Sequence, residues 1–156
     1  MERVRPTFRQ RLSRFTFAIT LVWTLALYKS NVTANPLSAA QKHWAAIALE
    51  NPELLLSRYS EDAVLEQSPG VTDVDTVYRG QSIDSAWRDF FSRYHIQDFQ
   101  VVQQQQRDRR VDAQIQITAK SSHGDIVVLS MSHQVQFDPS GKIIKEVWQT
   151  KPDLRV

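Results

Sequence analysis

An α+β domain, with three helices ahead of a mainly antiparallel sheet, is what this sequence predicts between Asn35 and Val156. Three observations lead there. Pro36 to Glu50 and Ser82 to Tyr94 carry apolar residues at three- and four-residue spacing, the period of helices packed by one face. Val111 to Ala119 alternates strictly between apolar and polar residues, as a strand does with one covered and one wet face. Ser121-Ser122-His123-Gly124 and Asp138-Pro139-Ser140-Gly141 separate the later apolar runs as hairpin turns do.

The elements follow in order. Leu37, Ala40, Trp44, Ile47 and Ala48 form the stripe of the first helix. Asn51-Pro52 ends it and starts a second, with Asn51 as N-cap and Pro52 at the first helical position. Leu54 to Leu56 bury that short helix, and Ala63 to Gln67 is a short strand. Ser68 to Gly80 contains Pro69, Gly70 and two aspartates and reads as a loop. The third helix opens near Ser82 and offers Ile83, Trp87, Phe90, Phe91 and Tyr94 as one wide face. Strands are expected near Phe99 to Gln105, over Val111 to Ala119, over Asp125 to Phe137 and over Ile143 to Thr150. Gly141 supplies the positive φ that its turn requires.

The first 34 residues are of a different kind. Arg3, Arg5, Arg9, Arg11 and Arg14 precede the apolar run Phe15 to Tyr28, and Val32-Thr33-Ala34 follows a short polar stretch. A basic n-region, an h-region and a small-residue cleavage site in that order form a secretory signal peptide. The run is shorter than the ~20 residues a permanent membrane span needs. An uncleaved anchor is the alternative, which Lys29 directly after the run leaves open. The expected division is therefore residues 1–34 as signal and 35–156 as the domain. The implied location is exported (periplasmic, secreted or lumenal), or anchored to the membrane by the N-terminal segment. Asn31-Val32-Thr33 matches a glycosylation acceptor but falls within the segment expected to be removed.

That division reverses the charge argument. The whole chain has 19 Lys+Arg against 17 Asp+Glu, a net +2. Without residues 1–34, which hold six bases and one acid, 13 bases face 16 acids, a net −3. The basic balance belongs to the targeting segment, so nothing recommends nucleic acid as a partner. The chain has no cysteine, which excludes thiolate metal sites, a lipobox and cysteine catalysis.

The element order, with three segments in it, resembles the nuclear transport factor 2-like superfamily and its SnoaL-like, ketosteroid isomerase-like members. The segments are Leu55 to Leu65, Tyr78-Arg79-Gly80-Gln81-Ser82-Ile83 entering the third helix, and Phe137 to Ile143 joining the last two strands. The resemblance covers Pro36 to about Pro152. It implies a cone in which three N-terminal helices pack on a curved, mainly antiparallel sheet around a pocket, the cystatin-like arrangement. It also implies a homodimer. It leaves activity open, because one fold carries many functions.

Candidate site residues are polar or aromatic groups on the faces that would line such a pocket. His133 shares a strand face with Val127, Leu129, Met131, Val135 and Phe137, so its imidazole is expected to point inward. A structural histidine bonded to a neighbour is the plainer alternative. His43, before Trp44, either faces the same cavity or sits at the exposed edge of its helix. Gln67, Trp87, Tyr94, Met131 and Trp148 are the ligand-binding candidates, with ordinary core packing as the alternative for the aromatic residues.

The resemblance places Gln67 where ketosteroid isomerases carry their carboxylate base. It places His43 at their tyrosine and His133 at their neutral acid. A glutamine amide cannot take and return a proton at neutral pH, so that mechanism lacks its base. Epoxide hydrolases of the superfamily use an Arg-x-Asp pair, and Arg110-Val111-Asp112 has that spacing. Asp112 falls on the wet face, however, where a surface ion pair explains it. For SnoaL-like cyclases, which need an acid/base group, His133 fits that role. No metal site is expected, since His43, His95, His123 and His133 show no close pairing in sequence, and no cofactor is expected.

Three readings follow. The first is an exported protein binding a small apolar or carbonyl-bearing molecule in a cone pocket, without a strong catalytic signature. The second is a pocket enzyme of cyclase, isomerase or hydrolase type, with His133 as general acid/base assisted by His43. The third is a dimerising or partner-docking module using the open sheet face of Asp112, Gln114, Gln116 and Thr118. In all three, membrane contact is expected only through residues 1–34 if they remain uncleaved.

Overall fold

The computed structural model describes residues 33–68 and 75–150. Helix α1 (Pro36–Ala48) and the short α2 (Pro52–Leu56) lead into strands β1 (Tyr59–Gln67) and β2 (Thr76–Arg79). Helix α3 (Ser82–Arg93) follows, then β3 (Tyr94–Arg107), β4 (Arg110–Ser121), β5 (Ile126–Phe137) and β6 (Ile143–Thr150). The segment read as an export signal lies outside the described residues except for Thr33 and Ala34, as do residues 69–74 of the expected loop. Among the described residues, no helix is long and apolar enough to cross a membrane.

Local chemistry sets the helix starts. The Asn35 side chain accepts from the Leu37 and Ser38 amides at 2.9 and 3.4 Å, with Pro36 in the first helical position. Asn51 repeats the device on the Leu54 amide at 2.9 Å, ahead of Pro52. Between them the chain turns at Glu50, whose φ is +49°. In α3, Asp84 in the first turn and Arg93 in the last complement the helix dipole.

The strands form one six-stranded sheet in the order β2-β1-β6-β5-β4-β3. All neighbours are antiparallel except β1 and β6, which run parallel. Four expectations need correction. The first strand starts at Tyr59, four residues ahead of Ala63. The stretch read as a loop to Gly80 contains β2, a four-residue edge strand paired with the end of β1. Its burial runs half-buried, exposed, half-buried, exposed, so no apolar face marks it in sequence. Tyr94 opens β3 instead of closing α3, and that strand runs well past the expected Phe99 to Gln105. The sheet passes from α3 into β3 without a loop because the chain turns extended at Tyr94 itself, with φ −132° and ψ 126°.

The expected alternation of β4 holds. Val111, Ala113, Ile115, Ile117 and Ala119 are buried, while Asp112, Gln114, Gln116 and Thr118 face outward. Ala40, Trp44 and Ile47 of α1 and Ile83, Trp87 and Phe90 of α3 join these inward residues in one core. Gly141 has φ +87°, and a Cβ there would lie 2.7 Å from the Ala34 Cβ. The Ala34 amide donates to the Pro139 carbonyl at 3.2 Å, so this hairpin is tied to the chain entering α1.

Candidate functional site: a buried carboxylate and the cavity beside it

Alternation along β6 turns Glu146 and Trp148 to the same inward face, and both are buried. A carboxylate inside a core needs hydrogen-bond donors, and five elements contribute to supplying them. His43 of α1 and His133 of β5 each donate from Nε2 to Glu146 Oε1 at 2.7 Å. Trp148 donates from Nε1 to the same oxygen at 2.8 Å. The Tyr59 hydroxyl of β1 donates to Oε2 and itself accepts from Trp87 Nε1 of α3 at 2.8 Å. Four donors thus meet the roughly four acceptor sites of an ionised carboxylate.

The proton positions follow from the partners. Trp44 Nε1 can only donate, and it lies 3.1 Å from His133 Nδ1. Nδ1 therefore carries no proton, and His133 is the neutral tautomer with its hydrogen on Nε2. Burial pushes the His133 pKa down in the same sense, against the opposing hydrogen bond to Glu146. For Glu146, burial alone would raise the pKa. The His43 imidazole and the hydrogen bonds from both histidines outweigh it and hold the carboxyl well below the usual range. Burial, then the Glu146 charge, push the Tyr59 hydroxyl well above its ordinary value, so it stays protonated. His43 Nδ1 is buried and has no partner among the described residues.

Beside this cluster lies a small apolar cavity, about 10 Å³, walled by Ile47, Gln67, Trp87, Phe90, Met131 and Trp148 among others. That is room for about one water molecule. The expected hollow interior is therefore nearly filled, and the indoles of Trp87 and Trp148, set edge to face at 6.2 Å, are two of its walls. Gln67 and Trp148 also wall an outer depression of about 140 Å³, together with Val77 and Val147.

No protein-family profile and no curated protein matches this sequence. Solved structures do match in shape. A nuclear transport factor 2-like protein of unknown function from Burkholderia pseudomallei superposes with a TM-score of 0.62 at 11% identity, over 76% of this chain and 92% of its own. A putative SnoaL-like polyketide cyclase from Shewanella denitrificans gives 0.62 at 16% identity, over 74% and 90%. A Mycobacterium tuberculosis protein in complex with estradiol-17beta-hemisuccinate gives 0.62 at 14% identity, over 78% and 98%. The chain has the nuclear transport factor 2-like cone fold. At these identities the likeness concerns fold and carries no activity across.

Within this cone the candidate residues divide into three groups. Gln67, Trp87, Met131 and Trp148 converge on the one cavity. His43 and His133 meet in the carboxylate cluster with their rings stacked at 6.0 Å. Tyr94 is outside both, half-buried and packed on Phe90 at 5.3 Å, with Arg93 over its ring. Of the two placements open to His43, the exposed edge is ruled out: it is fully buried, because its spacing from Ala40 and Ile47 places it on the apolar stripe. Asp112 is paired with Arg110 at 2.8 Å on the outer face, as the surface ion-pair reading requires. Sequence reasoning missed Glu146 and Tyr59 as members of the site. The parity of β6 carried the signal for Glu146, two residues before Trp148. Nothing comparable marked Tyr59, which precedes the strand as read from sequence.

The histidines that are distant in sequence are paired in space: His43, His133 and Glu146 place ligand-type atoms within 4.8 Å of one another. Their arrangement fits hydrogen bonds and not a metal ion. A metal on His133 Nε2 would move that proton to Nδ1, directly against the Trp44 N–H. The 2.7 Å nitrogen–oxygen separations are those of charge-assisted hydrogen bonds. For the same reason neither nitrogen of His133 is available to a ligand unless one of these bonds breaks.

Proposed function

We propose that the protein is an exported binding protein for a small apolar or carbonyl-bearing molecule, taken up at the Gln67–Trp148 wall of the cone. One observation carries this reading. The cavity's two indole walls are both held by their N–H groups, Trp87 on Tyr59 and Trp148 on Glu146, so its lining is apolar, and Gln67 is the polar residue among its walls that also lines the outer depression. A carbonyl oxygen entering from the outer depression meets a donor there, with oriented aromatic surface around it. Gln67 and Trp148 wall both the depression and the cavity, so recognition group and aromatic surface lie together. The depression is smaller than a drug-sized pocket, which restricts the ligand to about one substituted ring. The basic n-region and h-region of residues 1–34 support export.

Calorimetric titration with acetophenone tests this reading. Saturable binding is expected, weakened up to about tenfold in Gln67→Leu, the loss of one net hydrogen bond. Binding of toluene should be unchanged by the same substitution. Absence of saturable binding, or equal loss for both probes, refutes the reading.

A second reading, self-association through the open sheet face, has its own support. Two rows cross that face without an ionised group: Gln100, Gln116 and Ser130 in one, and Gln103, Gln114, Ser132 and Gln149 in the other. An exposed face lacking charge in its middle suits a second copy of itself better than bulk water does. Sedimentation equilibrium should give a dimer that Gln116→Lys dissociates, and a monomer at all concentrations rejects it.

A further inference from the structure

A larger groove, about 540 Å³, lies on the other side of Tyr59 from the carboxylate cluster's core, at the junction of α2, β1 and the start of α3. Its walls include Leu56, Tyr59, Glu61, Gly80, Ile83 and Asp84. The volume falls within the range of small-molecule sites. The groove shares no wall with the Gln67 cavity.

We propose that this groove is a separate binding site for a small organic cation, such as a quaternary or protonated amine. Tyr59 is the central feature. Its hydroxyl is occupied on the inner side, donating to Glu146 and accepting from Trp87, so the ring is what remains to line the groove. A phenol that donates to a carboxylate gains electron density, and an electron-rich ring face attracts cations. The fixed charges point the same way. Glu61 makes no ion pair among the described residues, and no basic residue lines the groove; Arg58 and Arg79 flank it in sequence but are not among its walls. Arg88, which pairs with the wall residue Asp84 at 2.6 Å, is also held by Glu53 at 3.4 Å.

The start of α3 opposes this with about half a positive charge. Asp84 in its first turn answers that end, and Glu61 remains on the wall as a whole negative charge. Gly80 keeps the groove open. Its φ of +52° disfavours a side chain, and a Cβ there would stand 3.2 Å from the Glu61 carbonyl.

The test is a nuclear magnetic resonance titration of the full chain with choline and with 3,3-dimethyl-1-butanol, its uncharged counterpart. Choline should shift the Gly80 and Gln81 amides saturably and bind at least about tenfold more tightly than the alcohol. Glu61→Gln is exposed and leaves the fold intact; it should weaken choline about fivefold and leave the alcohol unchanged. Gln67→Leu should change neither, which separates this site from the one proposed above. Equal affinity for the two probes, indifference to Glu61→Gln, or shifts that do not saturate overturn the proposal.

Discussion

Replacing Glu146 with glutamine tests the centre of the domain. The carboxylate accepts from His43, His133 and Trp148 on one oxygen and from Tyr59 on the other. An amide has one acceptor oxygen. If that oxygen serves the two histidines and Trp148, the amide nitrogen faces the Tyr59 hydroxyl, whose proton is left without an acceptor. The orphaned donor costs about 1–3 kcal/mol, and three bonds to a charge become three to a neutral group at about 1 kcal/mol each. Relief of the buried charge's desolvation offsets part of this, leaving a net loss of about 2–4 kcal/mol. For a domain of this size that lowers the melting temperature by about 6–20 °C. Thermal unfolding followed by near-ultraviolet circular dichroism reads the change. Glu66→Gln is the control, because the exposed Glu66–Lys145 pair is worth less than about 1 kcal/mol. If the Glu146 variant melts no lower than the control, the four-donor account of this carboxylate is wrong.

The remaining predictions are smaller. Stability should fall on acidification in two stages: folded His133 has a depressed pKa, so its contribution is full above about 6.5 and is lost as pH falls below that value. The depressed Glu146 pKa preserves its contribution until pH falls through and below the ordinary carboxylate range near 4, and urea midpoints at descending pH should show both declines. Gly141→Ala should destabilise by about 1–3 kcal/mol, because its φ of +87° is strained for alanine and the new methyl meets Ala34; an unchanged urea midpoint rejects this. Asp112→Asn should shift stability by less than about 1 kcal/mol, since its pair with Arg110 is half-exposed, and a larger loss in the same assay would give that pair a role beyond the surface.

What could be read from the sequence was whatever obeys a local period. The alternation of β4 and the turn at Asp138 to Gly141 are each decided by residues within one element, and the structure keeps them. The position of β2 could not be read, because a four-residue edge strand with half-exposed residues has no apolar face to announce it. The hub was half legible. Parity put His133 inward, and the same rule applied to β6 points Glu146 inward beside Trp148. That His43, Tyr59, His133 and Glu146 meet at one point depends on β1 lying parallel to β6 and on α1 crossing the sheet, which no local pattern encodes. The size of the cavity could not be read for another reason: inward aromatic residues can wall a hollow or fill it, and only packing decides which.

The hub and the cavity explain one another. A buried charge with four donors stabilises no more than apolar residues of similar volume would, so its use lies elsewhere. Hydrogen bonds have direction, and these fix α1 through His43, α3 through Trp87 and Tyr59, and β5 through His133 onto a single residue of β6. The chain has no cysteine to do this covalently. Trp87 and Trp148, the two indoles so fixed, are the walls of the cavity, and Tyr59 is shared with the outer groove. A cluster that saturates its own carboxylate and holds both nitrogens of one histidine is poorly placed for proton transfer. It is well placed to keep the aromatic surfaces around it still, the property that the proposed binding site requires.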